Sequence, residues 1–143
     1  MKYDLLNVYC DGGSRGNPGP AAAGVVFTTP KGEVIASYNL FLGEKTNNFA
    51  EYSAVLLALD KLGENPAKKY DFYLDSELVT KQLNGQYRVK HADMKELFER
   101  VQIELKDVNA SFTHVLRAKN KLADEQVNIC LDEQDLGWGA GNK

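Results

Sequence analysis

The chain has 143 residues, 43% hydrophobic, 26% charged and 10% aromatic, which suits one packed domain and excludes global disorder and collagen-like order. Lys plus Arg number 17 against 20 Asp plus Glu, a net charge of −3 and a pI near 5.4, which at face value argues against a nucleic-acid partner. No apolar run approaches the roughly 20 residues of a membrane span, so no membrane role is indicated.

The chain opens on Leu5 to Cys10, a short apolar-rich strand without a signal-peptide core. Gly and Pro crowd the next segment, Asp11 to Pro20, and argue against regular structure there. Ala21 to Thr29 and Gly32 to Leu42 read as two further strands around a turn at Thr29-Pro30-Lys31-Gly32, giving an antiparallel meander. From Asn48 the period becomes helical through Tyr52, Val55, Leu56, Leu59 and Leu62, until Gly63 and Pro66 stop it. Tyr70 to Leu74 is a strand, Ser76 to Asn84 a short helix closed by Gly85, and Lys95 to Leu105 a third helix. Phe112 to Leu116 is the fifth strand and Asn120 to Leu131 the last helix. Residues 132–143 are acidic and glycine-rich and read as a loose tail, leaving residues 1–131 as the domain. The order βββαβααβα implies an α/β fold with a mixed five-stranded sheet, because strand–helix–strand crossovers return parallel and right-handed.

Cys10 and Cys130 lie far apart among apolar neighbours and read as buried free thiols of a reduced, cytoplasmic protein. Neither histidine pairs with a cysteine at metal-ligand spacing, which argues against zinc. His114 alternates with Phe112 and Leu116 and reads as a packed structural residue.

Four acids each have an ordinary explanation. Asp11 can begin a turn, Glu51 can close a variant capping box from Asn48, Asp75 can cap a helix, and Asp124 can complement a helix dipole. As a set they suggest more. Asp11 and Asp75 end strands that a crossover through the Glu51 helix would bring side by side, and Asp124 opens a helix able to pack across the same sheet. Carboxylates held that close stay ionised only with cations between them, and hard oxygen donors suit Mg²⁺ or Mn²⁺. Two such ions roughly 3.5–4 Å apart can support in-line attack on a phosphodiester.

The strings Asp11-Gly12-Gly13-Ser14-Arg15-Gly16-Asn17-Pro18-Gly19-Pro20, Thr46-Asn47-Asn48-Phe49-Ala50-Glu51, Leu74-Asp75-Ser76 and Asn120-Lys121-Leu122-Ala123-Asp124 resemble, in order and spacing, ribonuclease H of type 1. The resemblance covers about residues 5–131. It implies a ribonuclease H-like fold and an endonuclease that cleaves the RNA strand of RNA·DNA hybrids with two divalent ions, leaving 5′-phosphate and 3′-hydroxyl ends. It makes Asp11, Glu51, Asp75 and Asp124 the catalytic, metal-binding carboxylates. It also sets Gly12, Gly13, Ser14, Asn17, Asn47, Asn48 and Ser76 along the hybrid, whose A-like minor groove exposes 2′-hydroxyls.

The chain departs from the family pattern at three points. Glu77 stands where many relatives carry Gln. Gly85 to His91 leaves no room for the basic handle of well-studied bacterial enzymes, although Lys81, Arg88 and Lys90 could form a smaller phosphate-binding patch. No histidine lies between Leu116 and Ala123, so Arg117 or Lys119 could aid product release. The pattern is similar to the compact archaeal and bacterial forms, and nothing suggests an assembly beyond the monomer. A hybrid-binding module that does not cleave, and a superfamily relative acting on DNA, are the competing readings. Setting the four carboxylates aside leaves 17 basic against 16 acidic residues, so the net charge no longer excludes nucleic acid.

Overall fold

The computed structural model describes the backbone of residues 3–141 and the side chains of residues 3–135. Three strands open the chain, β1 (Tyr3–Ser14), β2 (Gly19–Thr28) and β3 (Val34–Lys45). Then come α1 (Asn47–Asp60), β4 (Ala67–Leu74), α2 (Glu77–Leu83), α3 (Ala92–Glu104), β5 (Ala110–His114) and α4 (Lys121–Gly141). They form one sheet in the order β3-β2-β1-β4-β5, with the first three strands antiparallel and β1, β4 and β5 parallel. This is the mixed five-stranded α/β architecture expected from the element order.

Strand alternation divides the core. Leu6, Val8 and Cys10 of β1 with Ala23, Val25 and Phe27 of β2 face α1, where Tyr52, Val55 and Leu59 join them. Ala22 points to the opposite face and meets Val127, Cys130 and Leu131 of α4. Burying each large aliphatic or aromatic side chain contributes roughly 1.5–3 kcal/mol, so the two faces hold α1 and α4 in fixed positions relative to the strands between them. Cys10 and Cys130 are buried free thiols. No helix among the described residues is long and apolar enough to cross a membrane.

Three expectations are corrected. The Gly/Pro-rich segment is mostly strand: β1 continues through Gly12 and Gly13, which pair with Ala23 and Ala22, and only residues 15–18 form the turn. The sequence signal misled because a glycine can serve close packing as well as chain reversal: a Cβ on Gly12 would lie 2.1 Å from the Ala50 carbonyl. The last helix runs past Leu131 to Gly141, whereas a loose tail was expected from residue 132. Its Asp132 and Asp135 both pair with Arg15, at 2.6 and 2.9 Å, so this part of the segment is tied to the β1–β2 turn. His114 is exposed, because β5 is a five-residue edge strand that ends at that residue.

Candidate active site

The parallel pairing of β1 with β4 matches Cys10 to Leu74, so the residues that follow, Asp11 within β1 and Asp75 just past the end of β4, come side by side. Asp11 does not begin a turn; it lies within β1, paired with Gly24. Asp75 does not cap α2. Ser76 does, its hydroxyl accepting from Val79 N–H at 3.2 Å. Glu51 closes no capping box, since Thr46 Oγ1 caps α1 through Phe49 N–H. Its Oε1 instead accepts from Gly12 N–H at 3.2 Å, across to the strand. Asp124 does sit in the first turn of α4.

Two glycines set how closely the acid-bearing helices approach. A Cβ on Gly12 would lie 2.1 Å from the carbonyl carbon and oxygen of Ala50, the residue before Glu51. A Cβ on Gly24 would lie 2.6 Å from the carbonyl oxygen of Ala123, the residue before Asp124. Gly24 pairs with Asp11 in the β1–β2 ladder, so the strand position beside one carboxylate is bare where the helix carrying another descends. Asn120, fully buried, fixes the start of α4 by donating Nδ2–H to the Cys10 carbonyl at 2.8 Å.

Carboxylate oxygens of Asp11, Glu51 and Asp75 all lie within 4.8 Å of one another. Burial raises the Asp11 carboxyl, and the neighbouring charges of Asp75 and Asp124 add to it, to about 8. Burial also raises Glu51, with Asp11 and Asp75 adding repulsion. Glu51 Oε2 is buried without a hydrogen-bond partner. A buried carboxylate with one oxygen unpartnered, in a cluster with two further acids, fits a hard divalent cation, which would supply a partner and offset the repulsion. Asp124 stands outside this triad. It lines the same cavity of about 540 Å³, 3.8 Å from Arg117 Nη2 and within 3.4 Å of Asn128 Nδ2.

The other expected site residues separate into three groups. Gly12, Gly13, Ser14 and Asn47 line the cavity. Asn47 Oδ1 accepts from Ser14 N–H at 2.9 Å and from its hydroxyl at 3.0 Å, while Asn17 Oδ1 accepts from Asn47 N–H at 3.0 Å. Asn17 is not among the cavity-lining residues and acts on the wall through its bond to Asn47. Asn48 and Ser76 are not among the cavity-lining residues. Sequence reasoning gave no role to Asn120, Gly24, Asn128 or Arg15. Asn120 and Asn128 could have been found from their spacing, one helical turn before and after Asp124; Arg15 lies inside the first motif, where nothing local marks its distant partners, and Gly24 carries no local signal.

Comparison with known proteins adds to this geometry. The family of reverse transcriptase-like domains matches residues 9–130. Ribonuclease HI of Halobacterium salinarum is 38% identical over 129 residues, 90% of this chain and 65% of that protein. A bifunctional protein of Mycobacterium tuberculosis is 37% identical over 129 residues, so the chain covers 87% of its own length but only 35% of that relative. Among solved structures, LC11-RNase H1 in complex with an RNA/DNA hybrid superimposes with a TM-score of 0.86 at 39% identity, over 90% of this chain and 98% of that one. RNase H1 from Halobacterium salinarum superimposes with the same TM-score of 0.86 at 38% identity, over 90% and 98%.

Proposed function

The chain belongs to the type 1 ribonuclease H family, and from that premise we propose that it is an endonuclease hydrolysing the RNA strand of RNA·DNA hybrids, with 5′-phosphate and 3′-hydroxyl products. The observation that carries this reading is the convergence of Asp11, Glu51 and Asp75 within 4.8 Å at a cavity lined by Asp124. A module that only bound hybrid would gain nothing from such repulsion facing phosphate.

Asp11, Glu51, Asp75 and Asp124 are the residues we assign to hold two divalent ions, Mg²⁺ or Mn²⁺. When bound, such ions polarise the scissile phosphate and favour ionisation of the attacking water. The chain itself orients the donors. Gly12 N–H fixes one oxygen of Glu51 and leaves the other without a protein partner, and Asn120 anchors the helix that presents Asp124. Ser14 and Asn47, held by Asn17, form with the backbone at Gly12 and Gly13 the wall we assign to the hybrid's minor groove, where 2′-hydroxyls distinguish RNA from DNA. Asn48 and Ser76 belong to the outer part of that contact in this reading. Arg117, exposed and 3.8 Å from Asp124, is assigned to neutralise the departing product phosphate. The two buried free thiols support a reduced, cytoplasmic setting. The protein would act as a monomer, with residues 1–131 as its catalytic domain.

Cleavage of a labelled hybrid with Mg²⁺, with a chelator and by the Asp75→Asn variant tests the reading. Activity is expected only in the first. Undiminished cleavage in either control refutes the mechanism. Binding without turnover by the wild-type protein would make it a non-cleaving module, and equal cleavage of matched DNA·DNA would make it a DNA-directed relative.

A further inference from the structure

Arg15 sits in the turn after β1, at the mouth of the carboxylate cavity, with both arms of its guanidinium taken up by α4. Nη2 lies 2.6 Å from Asp132 Oδ1 and Nη1 lies 2.9 Å from Asp135 Oδ2. The two acids are three residues apart and share a helix face, so they offer the fork two separate oxygens, as a phosphate group would. All three side chains are exposed, at 39%, 62% and 68%, which makes the pairs weak contributors to stability and easy to exchange with other anions.

Location distinguishes this clasp from an ordinary surface ion pair. Arg15 lines the same cavity as Asp11, Glu51, Asp75 and Asp124, and among the described residues only Arg117 joins it there as a cation. A polyanion entering a cavity with four carboxylates needs such cations to receive its phosphates. We propose that Arg15 is a backbone-phosphate contact for the hybrid, and that Asp132 and Asp135 are a built-in competitor which must release it before substrate seats. The inference rests on the hybrid-directed reading above. A phosphate oxygen replaces a carboxylate oxygen on the same N–H donors, so no donor is left without a partner during the exchange. The affinity observed is then the intrinsic affinity scaled by the fraction of molecules with Arg15 released. Salt weakens the clasp and the phosphate contact alike, so the competition is greatest at low ionic strength.

Steady-state hybrid cleavage by four proteins tests this: wild type, Asp132→Asn/Asp135→Asn, Arg15→Ala, and the triple variant. The double variant is expected to lower KM about two- to tenfold with kcat unchanged. Arg15→Ala is expected to raise KM and to flatten the dependence of log affinity on log salt by about one unit. In the Arg15→Ala background the two Asp→Asn changes should have no more effect than Glu133→Gln has in the wild type, since that change removes a neighbouring charge without touching Arg15. Thermal melts check that each variant folds. An unchanged KM in the folded double variant overturns the clasp. An equal gain with and without Arg15 also overturns it, by assigning the effect to the general field. The two readings fail separately. Wild-type protein that cleaves, with variants that show no KM pattern, removes only this inference. Protein that never cleaves, but whose Asp75→Asn form binds hybrid with the same variant pattern, removes only hydrolysis.

Discussion

Replacing Glu51 by Gln should abolish activity and at the same time stabilise the metal-free protein. The triad's oxygens lie within 4.8 Å of one another, and two unit charges at that separation repel by about 3 kcal/mol at an effective dielectric constant of about 20. Glu51 enters two such pairs and is buried as well, so in the wild type the folded state favours protonated carboxyls. The sign follows from the raised values. For Asp11, at about 8 against an ordinary 3.8, stability is fully present below pH ~4 and is lost as pH rises towards 8. Gln keeps the acceptor for Gly12 N–H and removes one of the triad's three charges. We expect a gain of about 3 kcal/mol at pH 8 in chelator, of the order of one relieved pair. At roughly 2–4 °C per kcal/mol, this is a rise in Tm of about 6–12 °C. The gain should shrink towards zero near pH 4, and Mg²⁺ should raise the Tm of wild type more than that of the variant. Hybrid cleavage should fall by more than about 100-fold, beyond the 10–100-fold typical of losing a group that merely orients a ligand. Circular dichroism melts from pH 4 to 8, with and without Mg²⁺, measure all the stability terms. A cooperative variant melting at or below wild type at pH 8 in chelator would refute the electrostatic account.

The other predictions concern how the carboxylates are held. Gly24→Ala places a methyl 2.6 Å from the Ala123 carbonyl and should push α4 off the sheet; a loss of about 1–3 kcal/mol and a fall in kcat are expected. Gly63→Ala, which meets nothing within 4 Å, should change neither and serves as the control in the same melts and assays. Asn120→Ala removes the 2.8 Å bond to the Cys10 carbonyl, with an expected loss of about 1–3 kcal/mol in chemical denaturation and a larger effect on kcat than on KM. Asn17→Ala frees Asn47 N–H and should raise KM for hybrid severalfold while costing no more than about 1 kcal/mol of stability, the usual net value of one exposed hydrogen bond.

Much of this molecule is legible along the chain. The order of strand and helix periods is set by side chains close in sequence. Together with the right-handed crossover rule, that order implies the mixed sheet and brings Asp11 beside Asp75. Residue type and the four motifs marked those two acids with Glu51 and Asp124, and reconciled an acidic composition with the nucleic-acid substrate proposed above. What the chain alone could not decide was everything settled by distance between segments. The glycines after Asp11 look like a loop until α1 is seen pressing on Gly12, and Gly24 looks like any strand residue until α4 descends onto it. Arg15 and Asp132 are 117 positions apart, so nothing local pairs them or distinguishes a loose tail from a helix tied to the β1–β2 turn. The separation of Asp124 from the tight triad has the same origin. Local sequence fixes which groups exist and the element that carries each one. The distances between them, and therefore their charge states, arise only when helices close over the sheet.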